Sequence, residues 1–342
     1  MKVILQDVCS PKTSNLAQKD LIGRDGDYPV YGASGYIGNI NFYHQANKCV
    51  AVVKDGAGIG RTMLLPEKST AIGTMQYLIP KENILPEYLF YAVKNMHLEK
   101  YYTGATIPHI YFKDYKNEKF NYIDLEQQLC IVNTLKLVEG IISKKTKQLE
   151  QLDNLVKSLF VEMFINENYT KKKLGECAII NPKKSSDKRL HDELEVSFIP
   201  MMAVGENGQI NVSKIKKFAD VKNGFSYFSE GDVLFAKITP CMENGKGAIA
   251  SNLCNGIGFG STEFHVIRPI ENITTSEWIY VLTTLQKFRL SAEANMTGSA
   301  GQKRVPASFL QDYSFYLPPI ELQKQFSRVF KHLDKHKLLI ID

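Results

Sequence analysis

Residues 124–165 read DLEQQLCIVNTLKLVEGIISKKTKQLEQLDNLVKSLFVEMFI, and this stretch decides the architecture. Ile131, Leu135, Val138, Ile142, Lys145, Leu149, Leu152, Val156, Leu159 and Met163 recur at alternating spacings of four and three, and nine of those ten are apolar. No proline interrupts them, and Gly140 is the one glycine. A stripe with a 3.5-residue repeat suits a long helix lying along another helix. At 1.5 Å per residue it would run on the order of 60 Å. A bundle helix inside one domain is the plainer reading, but the length and the strict stripe favour a coiled coil. Ile320, Phe326, Val329, Leu333, His336 and Ile340 begin a second such stretch, which stops at Asp342 after about 23 residues against about 40 in the first.

Outward from these helices the chain repeats itself, at a separation of about 170–195 residues. Leu5-Gln-Asp-Val-Cys9 is answered by Leu174-Gly-Glu-Cys177. The strand-like run Cys49–Val53, followed by Lys54-Asp-Gly-Ala-Gly-Ile-Gly60, is answered by Gly231–Ala236, Lys237 and the loop Asn244-Gly-Lys-Gly247. Gly73–Pro80 matches Gly260–Pro269, Pro86–Tyr91 matches Ser276–Tyr280, Thr103-Gly-Ala105 matches Thr297-Gly-Ser299, and Leu125–Gln128 matches Ile320–Gln323. Six matches in one order argue for duplication. Short β-branched or aromatic runs between Gly, Asn and Pro turns predict α+β domains with mostly antiparallel sheets. The expected layout is a domain at 1–123, a spacer helix at 124–165, a second domain at 166–318 and a shorter helix at 319–342.

The 342 residues carry 42 Lys and Arg against 36 Asp and Glu, a net charge of +6, with 44% hydrophobic residues. Such a composition folds, and its mild basicity permits a phosphate-binding surface without requiring one. None of the six cysteines forms a C-x-x-C pair, so neither a zinc ribbon nor a redox motif is expected. With no signal-peptide layout and no apolar run near the ~18 residues of a span, the expected location is cytoplasmic.

Asp124-Leu-Glu-Gln-Gln128 and Leu317-Pro-Pro-Ile-Glu-Leu-Gln323 resemble the segments that open the conserved helices of specificity subunits of type I restriction–modification systems. Gly231-Asp-Val-Leu-Phe-Ala-Lys237 and Thr297-Gly-Ser-Ala-Gly-Gln-Lys-Arg-Val-Pro306 are also similar to family segments. Copy one departs in having Ile123-Asp124 where the prolines would stand. The resemblance runs the length of the chain. It implies two target-recognition domains separated by antiparallel coiled-coil helices, each domain reading one half of a split, asymmetric site in double-stranded DNA. It further implies two methyltransferase subunits docked on the helices and restriction/motor subunits joining for cleavage. S-adenosylmethionine and ATP with Mg would bind those partners, and this chain would be non-catalytic. Ile131, Leu135, Val138, Ile142, Leu149, Leu152, Val156, Leu159, Phe326 and Leu333 are the expected helix interface.

Lys54 and Lys237 follow matching strands and open glycine-containing loops, where backbone can approach phosphate closely and lysine supplies charge. Arg61 ends the first loop and Lys246 lies in the second. Gln302, Lys303 and Arg304 follow the second Thr-Gly turn and have the donors that read adenine or guanine. Thr103, Thr106 and His109 occupy the corresponding first loop. For each, the plainer reading is an ordinary polar loop or a solvated cation. Tyr101, Tyr102 and Tyr111 flank the first loop and read more simply as core. The run Lys171-Lys-Lys173 reads as a solvated linker.

Four enzymatic motifs fail. Asp55-Gly-Ala-Gly-Ile-Gly60 lacks the GxGxxG spacing and a βαβ series, Lys246 is not followed by Ser or Thr, and no NPPY or HExxH motif occurs. A scaffold that binds only proteins, without DNA, is the competing class. Salt-sensitive binding to duplex DNA would separate it from the DNA reader.

Overall fold

The computed structural model describes residues 1–104, 108–165, 169–299 and 301–341. They form two compact units, Met1–Ser143 and Lys144–Asp342. The helix read at 124–165 is a single helix, Leu125–Phe164, and a second helix runs Ile320–Ile341.

In the first unit, a four-stranded antiparallel sheet has the order Cys9–Thr13, Met75–Pro80, Cys49–Val53, Thr62–Leu65. Cys49–Val53 is interior, and all five of its residues are buried, which is why it reads as an unbroken apolar run. A smaller sheet has Tyr28–Gly32 at its centre, antiparallel to Gly35–Ile40 and parallel to Thr70–Ala71. Lys2–Ile4 pairs with Lys119–Asn121 and ties the start of the unit to the approach to the long helix.

The second unit repeats this plan. Its antiparallel sheet has the order Ala178–Ile180, Phe264–Pro269, Val233–Ala236, Gly247–Ile249. Its other sheet centres on Glu195–Ile199, antiparallel to Ile215–Lys217 and parallel to Ile257–Gly260, with Ser226–Ser229 added at the far edge. Thr170–Lys173 pairs with Ser314–Leu317, so the lysine run read as a linker is a strand, and Lys173 reaches Asp312 at 2.9 Å. The α+β class with mostly antiparallel sheets is what the structure has.

The correspondence extends to single hydrogen bonds. Gln128 and Gln323 are both fully buried. Gln128 accepts from the Leu85 N–H and donates to the Asn83 and Ile123 carbonyls. Gln323 accepts from the Thr275 N–H and donates to the Ile273 and Pro318 carbonyls. Each buried amide thus ties three backbone groups to the start of its helix. Glu87–Lys136 at 3.6 Å is matched by Glu277–Lys331 at 3.1 Å. Helix initiation differs only in means. The Asp124 carboxylate accepts the Gln127 N–H at 2.9 Å, whereas Pro318-Pro319 leads into the second helix with its backbone angle preset.

Two alignments shift by a small step. The short helices are Leu5–Val8 and Leu174–Cys177, so Val8, not Cys9, corresponds to Cys177. The glycine loop of copy one, 54–61, corresponds to the whole of 237–246 rather than to Asn244–Gly247 alone.

The stripe on the long helix needs a larger correction. In the first unit the helix buries Gln128 and Val132, while Ile131, Val138 and Ile142 are exposed and Leu135 is half-buried. In the second unit it buries Val156, Phe160 and Phe164, with Leu149, Leu152, Leu159 and Met163 half-buried. Burial at 156, 160 and 164 follows a four-residue ridge because these side chains pack into a globular core as well as against a helix. Phe326 lies 5.5 Å from Phe160 and 5.2 Å from Phe164, ring to ring, with Trp278 and Phe315 completing the aromatic cluster. Leu333 packs at its margin, and Lys337 bonds Asp153. Together these contacts set Ile320–Ile341 antiparallel to the end of the long helix.

Candidate nucleic-acid interface

Lys54 leaves the central strand of the first unit with its backbone fixed on both sides. Its N–H donates to Thr74 and its carbonyl accepts from Ile110, each at 2.9 Å. Arg61 closes the loop: its carbonyl accepts the Val53 N–H at 2.9 Å, and its Nη1 donates to the Ala33 carbonyl at 2.8 Å. Gly60 stands where φ is +81° and where a Cβ would come within 2.6 Å of the Glu99 nitrogen, so no other residue fits this close approach. Thr103 and His109 exchange both backbone hydrogen bonds at 2.8 Å, and His109 donates Nδ1–H to Asp55 at 2.7 Å. Lys54, Arg61, Thr103 and His109 are therefore gathered at one end of the main sheet. Thr106 lies outside the described residues.

The second unit builds the same end from different side chains. The Lys237 N–H donates to Glu263 and its carbonyl accepts from Val305, each at 2.9 Å. Lys246 takes the place of Arg61, accepting the Ala236 N–H at 3.2 Å. Thr297 and Arg304 exchange backbone bonds at 3.0 and 2.8 Å, as Thr103 and His109 do. Gly298 turns the loop at φ +123°. Beyond it, Gln302 and Lys303 are exposed. Three positions thus carry a basic side chain in both units: Lys54 and Lys237, Arg61 and Lys246, His109 and Arg304.

Each unit also restrains its third basic group with a carboxylate, drawn from a different place. Asp55, on the loop itself, holds His109 and lies 3.6 Å from the Lys54 ammonium. In the second unit residue 238 is Ile, and the acid is Glu263, one residue before the neighbouring strand. Arg304 donates to it through Nε at 3.0 Å and Nη2 at 2.8 Å, and through Nη1 to the Gln302 carbonyl at 3.0 Å. These bonds hold the Glu263 carboxyl below its usual range. Its share of stability is therefore present at neutral pH and is lost as pH falls through that lowered value. A guanidinium fixed in this way keeps free N–H groups in a set direction, which suits base reading better than a mobile cation does.

His265 was not singled out in the sequence, yet it anchors this loop. It donates Nε2–H to the Val305 carbonyl at 2.8 Å and accepts from Asn181 at Nδ1. Burial pushes its pKa down, so it serves as a neutral brace. Asp55 and Glu263 were also missed. Tyr101 is half-buried and bonded to Glu118, but Tyr102 and Tyr111 are exposed, against the expectation of core. Among the described residues no group of His, Cys, Asp and Glu could hold a metal ion, and no helix is long and apolar enough to cross a membrane.

A family model described as the type I restriction modification DNA specificity domain matches residues 1–153 and again 166–341. The chain belongs to this family. Two matches in tandem agree with the duplicated scaffold. Over 162 residues the chain is 44% identical to the type I restriction enzyme EcoAI specificity subunit of Escherichia coli, covering 47% of this chain and 27% of that protein. The EcoEI specificity subunit of the same organism is 41% identical over the same coverage. The matched segment is thus about a quarter of the length of these specificity subunits. A crystal structure of the type I restriction–modification S subunit from M. genitalium superposes with a TM-score of 0.60 at 16% identity, covering 99% of this chain and 90% of that one. At that identity the likeness concerns the fold.

Proposed function

We propose that this chain reads DNA for a type I restriction–modification enzyme, each unit recognising one half of a split, asymmetric target, and that it performs no catalysis itself. The observation that carries the reading is the recurrence of three basic positions at one end of both units, on matching backbone hydrogen bonds, with different residues around them. A shared scaffold gives the same mode of approach to a duplex. Different residues at 109 and 304, and different loops at 104–108 and 298–303, give different half-sites. Lys54, Arg61, Lys237 and Lys246 hold the phosphates, while Arg304, Gln302, Lys303, His109 and Thr103 face base edges.

The exposed apolar side chains Ile131 and Val138, two turns apart on one face of the long helix, are the docking surface for a methyltransferase subunit. Adenine methylation and cleavage belong to methyltransferase and restriction/motor subunits, which bind S-adenosylmethionine and ATP with Mg.

Co-expression with the neighbouring methyltransferase in an unmethylated host, followed by mapping of modified adenines, tests the reading. A split asymmetric motif that requires this chain supports it. No motif, together with duplex binding that does not respond to salt, would leave the chain a scaffold.

A further inference from the structure

The loop ends described above each adjoin a second element, the tip of the unit's other sheet, and in both units that tip carries an exposed large hydrophobic side chain. In the first unit the tip is the turn Ala33-Ser34 between Tyr28–Gly32 and Gly35–Ile40. Arg61 clamps it to the glycine loop by its bond to the Ala33 carbonyl, with its guanidinium lying over Gly58. Tyr36 stands beside this clamp, 61% exposed, its hydroxyl bonded to Asn39 and its ring edge-on to Tyr31 at 6.3 Å. In the second unit Phe198 and Ile199 take the places of Val30 and Tyr31 beside the parallel strand. The turn is there enlarged to residues 200–214, and Met201, Val204, Ile210 and Val212 pack it down with Cys241 of the basic loop. A Gly247 N–H to Gly205 carbonyl bond at 3.4 Å joins the two loops. Met202, at the start of this turn, is 87% exposed.

We infer that Tyr36 and Met202 are specificity residues, each making apolar contact with a base inside the half-site read by its own unit. A tyrosine or methionine so exposed adds little to folding. Each is held by a braced turn next to basic groups that would bring phosphates within reach. Apolar side chains in that position meet a thymine methyl or the face of an unstacked base. Arg61 is then the positioning residue for Tyr36 as well as a phosphate contact.

This inference rests on the DNA-reading proposal, and one experiment separates the two. Modified adenines are mapped for the unaltered chain, Tyr36→Ala and Met202→Ala, each with its methyltransferase, and thermal unfolding of each complex is recorded alongside. Tyr36→Ala is expected to relax one position of one half-site by about tenfold or more, leaving the other half as it was. Met202→Ala is expected to relax a position in the opposite half. No motif from the unaltered chain would overturn DNA reading itself. A clear motif that neither variant changes, or an equal loss over both halves, would overturn this inference alone. Should Tyr36→Ala abolish modification, Tyr36→Leu decides: an altered preference at one position supports the role, and the unaltered motif overturns it.

Discussion

Ile131 and Phe326 occupy the same place in the two copies, three residues after the buried glutamine, yet Ile131 is 40% exposed and Phe326 is fully buried. Phe326 is covered because Phe160 and Phe164 arrive on it from the long helix. Leu129, Leu137 and Val138, within two turns of Ile131, are likewise exposed. One inherited scaffold therefore has two fates. Where the second helix lies across it the seam is core, and at Ile131, among the described residues, it is a surface. The basic loop ends differ in the same spirit: backbone bonds are kept while His109 with Asp55 is replaced by Arg304 with Glu263. Buried backbone groups must be satisfied in both copies, so they tolerate little change. Solvent-facing side chains are free to diverge.

The largest effect should separate the two helix positions. Phe326→Ala is expected to destabilise the second unit by about 3–5 kcal/mol, as loss of a buried aromatic does. Ile131→Ala should stay within about 0.5 kcal/mol. Urea unfolding of both variants checks this, and equal losses would refute the contrast between them. Next, Gln128→Leu and Gln323→Leu should each cost about 2–4 kcal/mol through orphaned backbone groups. Near-equal values would strengthen the claim of a common scaffold, and a twofold disparity would count against it. Asp55→Asn and Glu263→Gln should each cost no more than about 1 kcal/mol of stability and reduce discrimination by about tenfold, each in its own half-site only, read by competition with singly substituted duplexes. The smallest effect is on salt dependence. Replacing Lys54, Arg61, Lys237 or Lys246 by Ala should lower the slope of log affinity against log salt by about 0.9 for each phosphate no longer neutralised.

The long helix was legible because its apolar repeat is unbroken by proline, and the duplication was legible because glycines, Thr-Gly turns and glutamines recur in one order. What the stripe could not tell was which face would be covered. Ile131, Val138 and Ile142 fit the repeat as well as Val156 does, and burial depended on the core standing above each end of the helix. Gln128 and Gln323 were quoted as sequence marks. Two of the three hydrogen bonds of each reach residues some 40 to 50 positions away and have no local signature. At the loop ends the basic residues were singled out from strand and loop context. Asp55 and Glu263 escaped because the same task is done from two unmatched positions. His265 escaped because a lone histidine in an apolar strand gives no sign of the loop it braces.

The central claim, that the two units read separate halves of one target, is tested most directly by mapping modified adenines with Arg304→Ala beside the unaltered chain. Loss of discrimination confined to one half of a split motif is predicted. Loss spread equally over both halves, or an unchanged motif, would contradict it.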